Sequence, residues 1–561
     1  MQEDFGGNIM DKIRIFALGG LDEDGKNCYV IDIDDQWFVI EAGVKYPDGE
    51  QLGVEVVIPD FSTLLENKDK IKAVFITHGH DDVMGALPYL LKDTVLDVYT
   101  TPLTACLVED LLDKHSIKTK KIHRIKRYSS FKIGKVTIRT FGLTSSIADS
   151  FGLAIETKHG SIIYTSEFII DFNNKHKAFD SDISEIADMG KKKVLALLSE
   201  SVSADKEGFT APNHRISDQV ESAFDNAEGR VIVSMYKQNV YRLMEIIELA
   251  TQFKRKVVFF NKNQRRYIAH LENLGYFKMP VNSEISIDNY DNNVDNVVVI
   301  VAANGPNVFK MMHKIAINED DRISLRPTDT VILASPAVPH TEVEAAAMEN
   351  ELYKEGCHVI SFDHRKTLSM HGSKEDIKML INLFKPEYYI PVKGQYRHLV
   401  NNANLAFDNG IKAQNIIVLD NGMIATFEDG KYTRAHTNLD FEEILIDGME
   451  SLDIGGRVLK DREFLASDGA MIVGLVLDFK TKDIIGGPDV QSRGVIYLKD
   501  ADHIVKTVAN IMEETVETMV KENRYDNNSA RMEAKDKISK YVYKSTSKRP
   551  MVLPVIIEIN N

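Results

Sequence analysis

The first candidates for chemistry are two histidines separated by one residue, His78 and His80, which follow the apolar run 73–77. In extended backbone, side chains two positions apart point to the same side, so both imidazoles can reach one cation. By itself, such a pair is more often a surface or core pair than a pair of ligands. Asp82 and the helical pattern around it favour the metal interpretation, because they add a carboxylate beside the imidazoles.

Further polar residues stand where predicted strands end, at Glu41, Glu167 and Glu200. In layered α/β proteins, ligands are usually held at strand ends and in the loops that follow them. These positions therefore mark the candidate ligand-binding edge of the predicted sheets.

The chain has 561 residues, enough for three or four domains that each bury a core. Hydrophobic residues make up 43% and charged residues 27%, which argues against a mostly disordered chain. The formal net charge is −16, so the overall field repels phosphate. Any binding of nucleic acid must therefore depend on local basic patches.

Three cysteines stand far apart in the sequence, at Cys28, Cys106 and Cys357. Their odd number and wide spacing exclude a disulfide framework and a cysteine-type zinc motif, and they favour a reducing compartment. The first ten residues lack the apolar stretch of a secretory signal, and the apolar run 470–477 is too short to cross a bilayer. We expect a soluble, cytoplasmic protein without a membrane partner.

Three kinds of pattern follow one another along the chain. Residues before 209 show hairpins and short strands, whereas from 209 strands and helices alternate, which predicts crossovers in a largely parallel sheet. Residues 451–561 combine strands with an amphipathic helix over about 502–523 and a closing strand at 552–559. This last segment is predicted to be a small α+β domain.

A series of motifs, which covers nearly the whole chain in order, resembles the ribonuclease J family. The motifs are Ile15-Phe16-Ala17-Leu18-Gly19-Gly20, Gly25-Lys26-Asn27, Ala42-Gly43, Leu52-Gly53 with Ile58-Pro59-Asp60-Phe61, the segment 77–88 with its His-x-His-x-Asp loop, Pro391-Val392 with Tyr396-Arg397, and Gly487-Pro488-Asp489 with Ser492-Arg493-Gly494. The loop in 77–88 is the metal-loop signature of the metallo-β-lactamase fold.

The resemblance implies an α/β protein: a metallo-β-lactamase αββα sandwich with an inserted β-CASP α/β domain and a small C-terminal α+β domain. The expected boundaries are 1–208 and 367–436 for the two parts of the sandwich, 209–366 for the β-CASP domain, 437–450 for a linker and 451–561 for the C-terminal domain. The implied activity is that of a bacterial hydrolase of RNA. Such an enzyme acts in mRNA decay and rRNA processing as a 5′-to-3′ exonuclease and endonuclease at a two-metal site.

The family's metal ligands are only partly present in this sequence. Of seven ligand positions, three keep their residue, one changes length but keeps its charge, and three lose a histidine. The retained residues are His78, His80 and Asp82, the changed one is Glu167 in place of a bridging aspartate, and the losses fall at Val83, Ser145 and Lys393.

These losses predict that the paired-metal site does not form. We expect no tightly bound cofactor, and at most one divalent ion, zinc or manganese, at His78, His80, Asp82 and Glu167. Lys393 has two open interpretations: its ammonium pairs with Asp82 or Glu167 in place of an ion, or it points to solvent. Without metal-activated water, hydrolysis of a phosphodiester should be very slow.

The resemblance places catalysis at His80, Asp82 and His371, and phosphate binding in the loop 367–373. In that loop a family glycine becomes Met370, whose Cβ narrows the approach to phosphate. Glu200 is expected to orient His371 from behind. The turn at Gln238 and Asn239 matches the family at Asn239 only, and a helix N-cap explains Asn239 equally well. The predicted RNA-binding residues are Gln238, Asn239, Thr367, Leu368, Ser369, Met370, His371 and Ser373.

Two basic clusters stand elsewhere, in 118–127 and in 254–266. Such runs are more often solvated faces than binding surfaces. In a chain of this net charge they are nevertheless the best candidates for contacts with the RNA backbone.

Together these features predict a degenerate ribonuclease J paralogue that binds RNA and assists an active ribonuclease J partner. It would form a homodimer or a hetero-oligomer, with the helix at 502–523 as a candidate interface. Two alternatives stay open: a working ribonuclease that uses one metal, and a catalytically silent RNA-binding module.

Overall fold

A computed structural model of the chain describes residues 11–47, 51, 53–118, 121–337, 341–362, 367–440, 442–448, 450–452, 457–495 and 501–560. Over these residues the chain forms two compact units. The first is Met1–Tyr46 with Val56–Ile444, and the second is Pro47–Glu55 with Leu445–Asn561.

The first 200 residues contain short strands and short helices, as their hairpin pattern predicts. They are β1 (Lys12–Gly19), β2 (Cys28–Ile33), β3 (Gln36–Ile40), β4 (Val56–Ile58), α1 (Ser62–Glu66), β5 (Ile71–Ile76), α2 (Asp81–Met84), α3 (Leu87–Lys92), β6 (Val98–Thr100), α4 (Pro102–Lys114), β7 (Ile122–Arg124), β8 (Ser129–Ile133), β9 (Val136–Gly142), β10 (Phe151–Thr157), β11 (Gly160–Tyr164), α5 (Ile183–Gly190) and β12 (Val194–Glu200).

The middle of the chain alternates strand and helix and then returns to the first part. Its elements are α6 (Ser217–Asn226), β13 (Val231–Tyr236), α7 (Val240–Gln252), β14 (Lys256–Phe259), α8 (Lys262–Asn273), β15 (Val297–Ala303), α9 (Asn307–Ala316), β16 (Thr330–Leu333), α10 (Glu342–Lys354), β17 (His358–Ser361), α11 (Lys374–Phe384), β18 (Tyr388–Val392), α12 (Tyr396–Asp408), β19 (Met423–Glu428) and β20 (Lys431–Asn438).

Two sheets face each other in the first unit. One has the order β20-β19-β1-β2-β3-β5-β6-β7, and the other has the order β18-β12-β11-β10-β9-β8. Apolar side chains from both sheets, among them Phe38, Phe75, Phe151 and Leu198, fill the space between them. A second core lies between the six-stranded sheet and helices α5, α11 and α12. The β-sandwich predicted from the resemblance is therefore present.

The inserted segment forms its own sheet, with the order β14-β15-β13-β16-β17. All of its strand pairs are parallel, as the alternation of strand and helix predicts. Its strands are continuous apolar runs such as Val297–Ala303, which is buried throughout because helices cover the sheet. The chain then returns through β18, which pairs in parallel with β12, and so brings residues after 388 beside residues after 194.

The second unit contains β21 (Ile444–Asp447), β22 (Glu450–Leu452), α13 (Arg457–Ser467), β23 (Ala470–Asp478), β24 (Ile484–Arg493), α14 (Ala501–Lys521), α15 (Asn527–Thr546) and β25 (Met551–Ile559). Its main sheet has the order β24-β23-β25, and α14 and α15 supply side chains to the core beneath it. The apolar residues of α14, such as Val508, Met512 and Val516, belong to that core. That face of α14 is used internally, whereas Val505, Ile511 and Val520 are half-buried. The interface predicted for helix 502–523 stays a prediction.

The domain boundaries predicted at 208/209 and 366/367 stay predictions. In the segment predicted as a linker, 437–450, the structure has the end of β20 and the strand β21. Among the described helices, none combines the length and the hydropathy that a membrane-spanning segment needs.

Candidate functional site

The site lies where four strands end. His78 and His80 follow β5, Glu167 follows β11, Glu200 ends β12 and Lys393 follows β18. Strands β11, β12 and β18 are parallel neighbours, so the residues after their carboxyl ends meet at one edge of the sheet. Segments more than 300 residues apart in sequence thus share one pocket.

The two histidines and Glu167 form a group of potential metal ligands. The ligand atoms of His78, His80 and Glu167 all lie within 4.8 Å of one another. Glu167 Oε2 is 3.4 Å from His78 Nε2 and 3.2 Å from His80 Nδ1. His78 Nε2 is buried and makes no hydrogen bond with any described residue. Both imidazoles therefore point a nitrogen at the same carboxylate.

The far nitrogen of each ring is fixed by hydroxyl groups. His78 Nδ1 is hydrogen-bonded with Thr77 Oγ1 at 3.0 Å and with Ser166 Oγ at 3.2 Å. His80 Nε2 is hydrogen-bonded with Ser146 Oγ at 2.9 Å. Partners of this kind orient a ring toward whatever its other nitrogen faces.

Lys393 lies inside the pocket and only 5% of the residue is exposed. Its ammonium donates to Asp82 Oδ2 at 2.8 Å and to Glu167 Oε1. The backbone of Lys393 is in the left-handed region with φ of 59°, which is unfavourable for a residue with a Cβ, and its carbonyl accepts from Ser201 N at 3.1 Å. Of the two interpretations left open for Lys393, the ion pair is the one that the structure contains.

The charges in the pocket depend on one another. Burial disfavours the charged form of each group, but the carboxylates of Asp82 and Glu167 raise the pKa of Lys393 well above its usual value. In return, and against the effect of burial, Lys393 lowers the pKa of Asp82 and holds that of Glu167 well below the usual range. Burial lowers the pKa of His78 to about 4, so this ring is neutral. At neutral pH the ammonium and both carboxylates are therefore charged.

Glu200 and His371 make the contact that the sequence predicts. Glu200 Oε2 lies 2.8 Å from His371 Nδ1, and Glu200 Oε1 accepts from the amides of Gly372 at 3.0 Å and Phe168 at 2.9 Å. Burial opposes protonation of His371, but the charge of Glu200 outweighs it and raises the pKa of His371 to about 9. His371 is thus an imidazolium at neutral pH.

The other predicted RNA-binding residues do not all face one opening. Ser369 is exposed, whereas Met370 and Ser373 are buried. Ser373 and Asp376 form a capping box at the start of α11, and Ser373 Oγ is 2.7 Å from Thr210 Oγ1. Ser373 therefore has a structural hydrogen-bonding role.

Thr367, Leu368 and Asn239 also have partners within the protein. Thr367 Oγ1 donates to Gln219 Oε1 at 3.1 Å, and the amide of Leu368 donates to a backbone carbonyl. Asn239 Oδ1 accepts from Arg242 N at 2.9 Å at the start of α7, which is the N-cap that the sequence allowed as an alternative. Gln238 precedes this cap, and its Nε2 is buried without a hydrogen-bond partner among the described residues.

The structure adds residues that the sequence did not single out for the site. Asn27 Nδ2 donates to Asp82 Oδ2 at 3.0 Å and so holds this carboxylate toward Lys393. Asn304, from the inserted segment, donates to Asp81 Oδ2, which also accepts from Tyr46 Oη at 2.8 Å. The motif Gly25-Lys26-Asn27 was a signal for Asn27, but no sequence pattern pointed to Asn304.

Part of the charge of the two basic clusters is paired with nearby carboxylates. In the first cluster, Lys121 pairs with Asp97 at 3.2 Å and Arg124 with Glu109 at 2.7 Å. In the second cluster, Arg266 pairs with Asp110. Pairing of this kind reduces the positive field that an RNA phosphate would meet. Contact of these clusters with RNA stays a prediction.

Comparisons with known proteins agree with this architecture. Four protein-family models match: the metallo-beta-lactamase superfamily over residues 21–160, the ribonuclease J beta-CASP domain over 228–352, the Zn-dependent metallo-hydrolase RNA specificity domain over 357–416 and the ribonuclease J C-terminal domain over 457–559.

Full-length relatives also match. The chain is 35% identical to ribonuclease J 2 of Staphylococcus aureus (strain NCTC 8325 / PS 47) and 34% identical to ribonuclease J 2 of Staphylococcus epidermidis (strain ATCC 12228 / FDA PCI 1200), over 98% of both chains in each case. A crystal structure of a protein of unknown function from Enterococcus faecalis V583 shares the fold. Its TM-score is 0.53 at 17% identity, over 74% of this chain and all of that one.

Proposed function

The chain belongs to the ribonuclease J family, and we propose that it serves the family's RNA processing as an RNA-binding partner of an active ribonuclease J, because its own metal centre is impaired. The observation that carries this proposal is the position of Lys393. Its ammonium bridges Asp82 and Glu167, two carboxylates that the resemblance assigns to metal binding.

An ammonium in this place opposes a second metal ion. At 4 Å and an effective dielectric constant of 20, two like unit charges repel by about 4 kcal/mol, and a divalent ion doubles this energy. The carboxylates of Asp82 and Glu167 already have a cation, so they gain little from exchanging it. The ammonium of Lys393 thus neutralises the charge of these carboxylates without a metal ion.

The lost histidine positions reinforce this effect. Val83 is buried and offers only its backbone, whose carbonyl accepts from Ala42 N at 2.8 Å. The hydroxyl of Ser145 lies 2.6 Å from Ser150 Oγ and donates to Ile147 O, so it is engaged within its own loop. The residues present do not fit a pair of metal ions.

A single ion is compatible with the remaining donors, and this favours a second candidate function. His78, His80 and Glu167 match the three protein ligands of a catalytic zinc site, and the unpartnered Nε2 of His78 is oriented for such a role. A zinc or manganese ion bound there would lower the pKa of its water molecule toward 7. The alternative is therefore a ribonuclease that works with one metal.

The RNA-binding part of the proposal rests on the imidazolium of His371 beside the exposed Ser369. Glu200 holds His371 in place and keeps it charged, so a positive hydrogen-bond donor is available to a phosphate oxygen. This pair needs no metal, so it can bind RNA whether or not the chain cuts it.

Metal analysis tests the central claim. We expect at most one zinc or manganese ion per chain after dialysis against either metal, measured by inductively coupled plasma mass spectrometry. The combined variant Val83→His, Ser145→His and Lys393→His should bind two ions, whereas Lys193→His, at an exposed lysine, should behave as the wild type. Two ions in the wild-type chain would overturn the proposal.

Co-purification tests the partner. The tagged chain, expressed in its own cells, should retain an active ribonuclease J paralogue through a high-salt wash and ribonuclease A treatment. Co-purification of RNA without the paralogue, in a parallel sample that receives no ribonuclease A, would instead favour a silent RNA-binding module.

A further inference from the structure

Two connections join the inserted segment to the sandwich, and both reach Asp376. The first, residues 201–216, leads from β12 to α6, and the second ends with residues 367–373 before α11. Asp376 is fully buried and accepts hydrogen bonds from three backbone amides: Ile170 N at 2.8 Å, Thr210 N at 2.9 Å and Ser373 N at 3.0 Å. A helix cap needs only the bond from Ser373. The other two bonds hold the first connection beside the sandwich.

The hydroxyl of Thr210 links the first connection to the loop 367–373. Thr210 Oγ1 donates to the carbonyl of His371 at 2.7 Å and accepts from Ser373 N at 3.2 Å. The side chain of Thr210 is fully buried, so water does not replace these bonds when they are lost. An apolar side chain of the same shape would therefore leave buried polar groups of the loop without a partner.

The two connections also run side by side along their backbones. Leu368 N donates to Asn213 O at 3.0 Å, and Lys374 N donates to Lys206 O at 3.0 Å. These two bonds lie before and after His371 in the sequence. The contact at the carbonyl of His371 itself is the one that Thr210 makes.

The ring of His371 depends on the backbone that carries it. Glu200 binds His371 Nδ1 at 2.8 Å and the amide of Gly372 at 3.0 Å, so both bonds form only when residues 371 and 372 are in place. Glu200 orients the ring through these bonds, and Thr210 holds the adjacent backbone through the carbonyl of His371.

We propose that Thr210, held by Asp376, is a positioning residue for His371 and fixes the backbone that presents this ring to a phosphate oxygen of RNA. The inference rests on the RNA binding proposed above, in which it gives Thr210 a part. Because Thr210 belongs to the first connection, the position of His371 is tied to the path by which the chain enters the insert.

The test compares Thr210→Val, which replaces the hydroxyl with a methyl group, with Thr210→Ser, which keeps the hydroxyl. Fluorescence anisotropy measures the binding of a labelled single-stranded RNA to the full chain. NMR of the chain with isotope-labelled histidine reports the ring of His371, and His371→Gln assigns its signal. We expect Thr210→Val to weaken RNA binding about fivefold, as when one hydrogen-bond donor is misplaced, and to shift the ring signal. Thr210→Ser should keep both at their wild-type values.

Thr515→Val is the matched control. It removes another buried hydroxyl, which donates to Ile511 O at 2.6 Å in the second unit. We expect this variant to lose thermal stability but to change neither RNA binding nor the ring signal. Circular dichroism verifies folding, and if Thr210→Val does not fold, Thr210→Ala takes its place because it adds no methyl group where the hydroxyl was.

An unchanged ring signal in the folded variant without the hydroxyl would overturn the proposal. So would an equal loss in Thr210→Ser, because the methyl group of Thr210 and not its hydroxyl would then hold the loop. A wild-type chain that binds no RNA would contradict the proposed function, and the ring signal alone would then support or overturn the positioning role of Thr210.

Discussion

The ammonium of Lys393 lies 2.8 Å from the carboxylate of Asp82, although the two residues are 311 positions apart in sequence. The same ammonium also donates a hydrogen bond to Glu167 Oε1. A positive side chain thus lies between two carboxylates that the resemblance to the family assigns to metal binding, and the proposed function rests on this arrangement.

Removal of the ammonium should destabilise the protein. In Lys393→Met, Asp82 and Glu167 face each other in a buried site without a counter-charge, and loss of one partner of a buried pair costs about 3–5 kcal/mol. We expect this loss of unfolding free energy in urea at pH 7. Lys393 lowers the pKa of both carboxylates, so their contribution is present above their unfolded values and is lost as the pH falls. The difference from wild type should therefore shrink below about pH 4.

The response of Lys393→Met to manganese is a second test of the counter-ion role. It should raise the thermal midpoint of Lys393→Met more than that of the wild type, because the freed carboxylates can then take a divalent ion. Lys193→Met, at a lysine that is largely exposed and pairs with Glu387, should change stability by less than about 0.5 kcal/mol. An equal manganese response in wild type and Lys393→Met would contradict the counter-ion role.

The pair of Glu200 and His371 should make stability depend on pH. Folding raises the pKa of His371 to about 9, so its contribution is fully present below the unfolded value of about 6.5 and is lost as the pH rises through 9. Glu200→Gln keeps the acceptor for the two amides but removes the charge. We expect it to cost on the order of 2 kcal/mol at pH 6 and almost nothing above pH 9.5.

Urea unfolding across this pH range measures the effect, and a proton NMR titration of His371 reports its pKa directly. His371→Gln should abolish the pH-dependent difference. A His371 that titrates near 6.5 in the wild type would show that Glu200 does not hold it charged.

His80→Ala separates an impaired enzyme from a one-metal ribonuclease. If the site is inactive, any nuclease activity in a purified preparation comes from another protein, and the substitution should leave the rate of cleavage of a labelled single-stranded RNA unchanged. His358→Ala, at an exposed histidine at the start of β17, is the matched control. A loss of tenfold or more in His80→Ala alone would establish the one-metal enzyme.

Asn304 should tie the inserted segment to the loop 77–88, which carries His78, His80 and Asp82. Asn304→Ala removes the hydrogen bond that Asn304, in the insert, donates to Asp81. We expect it to lower the unfolding free energy by about 1 kcal/mol. Hydrogen exchange of the amides around Asp81 should become faster. Tyr46→Phe removes the hydrogen bond that Tyr46 donates to Asp81 and is the comparison. Faster exchange in Tyr46→Phe alone would show that Asn304 does not stabilise this loop.

Local sequence predicted the parallel sheet of the insert and part of the site, whereas the sandwich and its inserted domain were predicted from the resemblance to the ribonuclease J family. The period of apolar residues predicts the parallel sheet of the insert, and the His-x-His spacing predicts two imidazoles on one side, because both depend only on neighbouring backbone. The N-cap alternative at Asn239 also follows from local sequence, whereas the contact of Glu200 with His371 was predicted from the resemblance to the family. In contrast, α15 was not predicted, since its buried stripe begins with the small residues Ala530 and Ala534, which give a weak periodic signal.

The charge state of the pocket could not be predicted from local sequence patterns. Whether Lys393 meets solvent or Asp82 depends on β18 pairing with β12 and on the left-handed backbone at Lys393, and neither is readable from the residues next to it. Met370 and Ser373 resembled ligand-binding residues but are buried, because the turn into α11 directs them inward. Coulomb energy and burial depend on distances through space, so only the folded chain determines which charges meet.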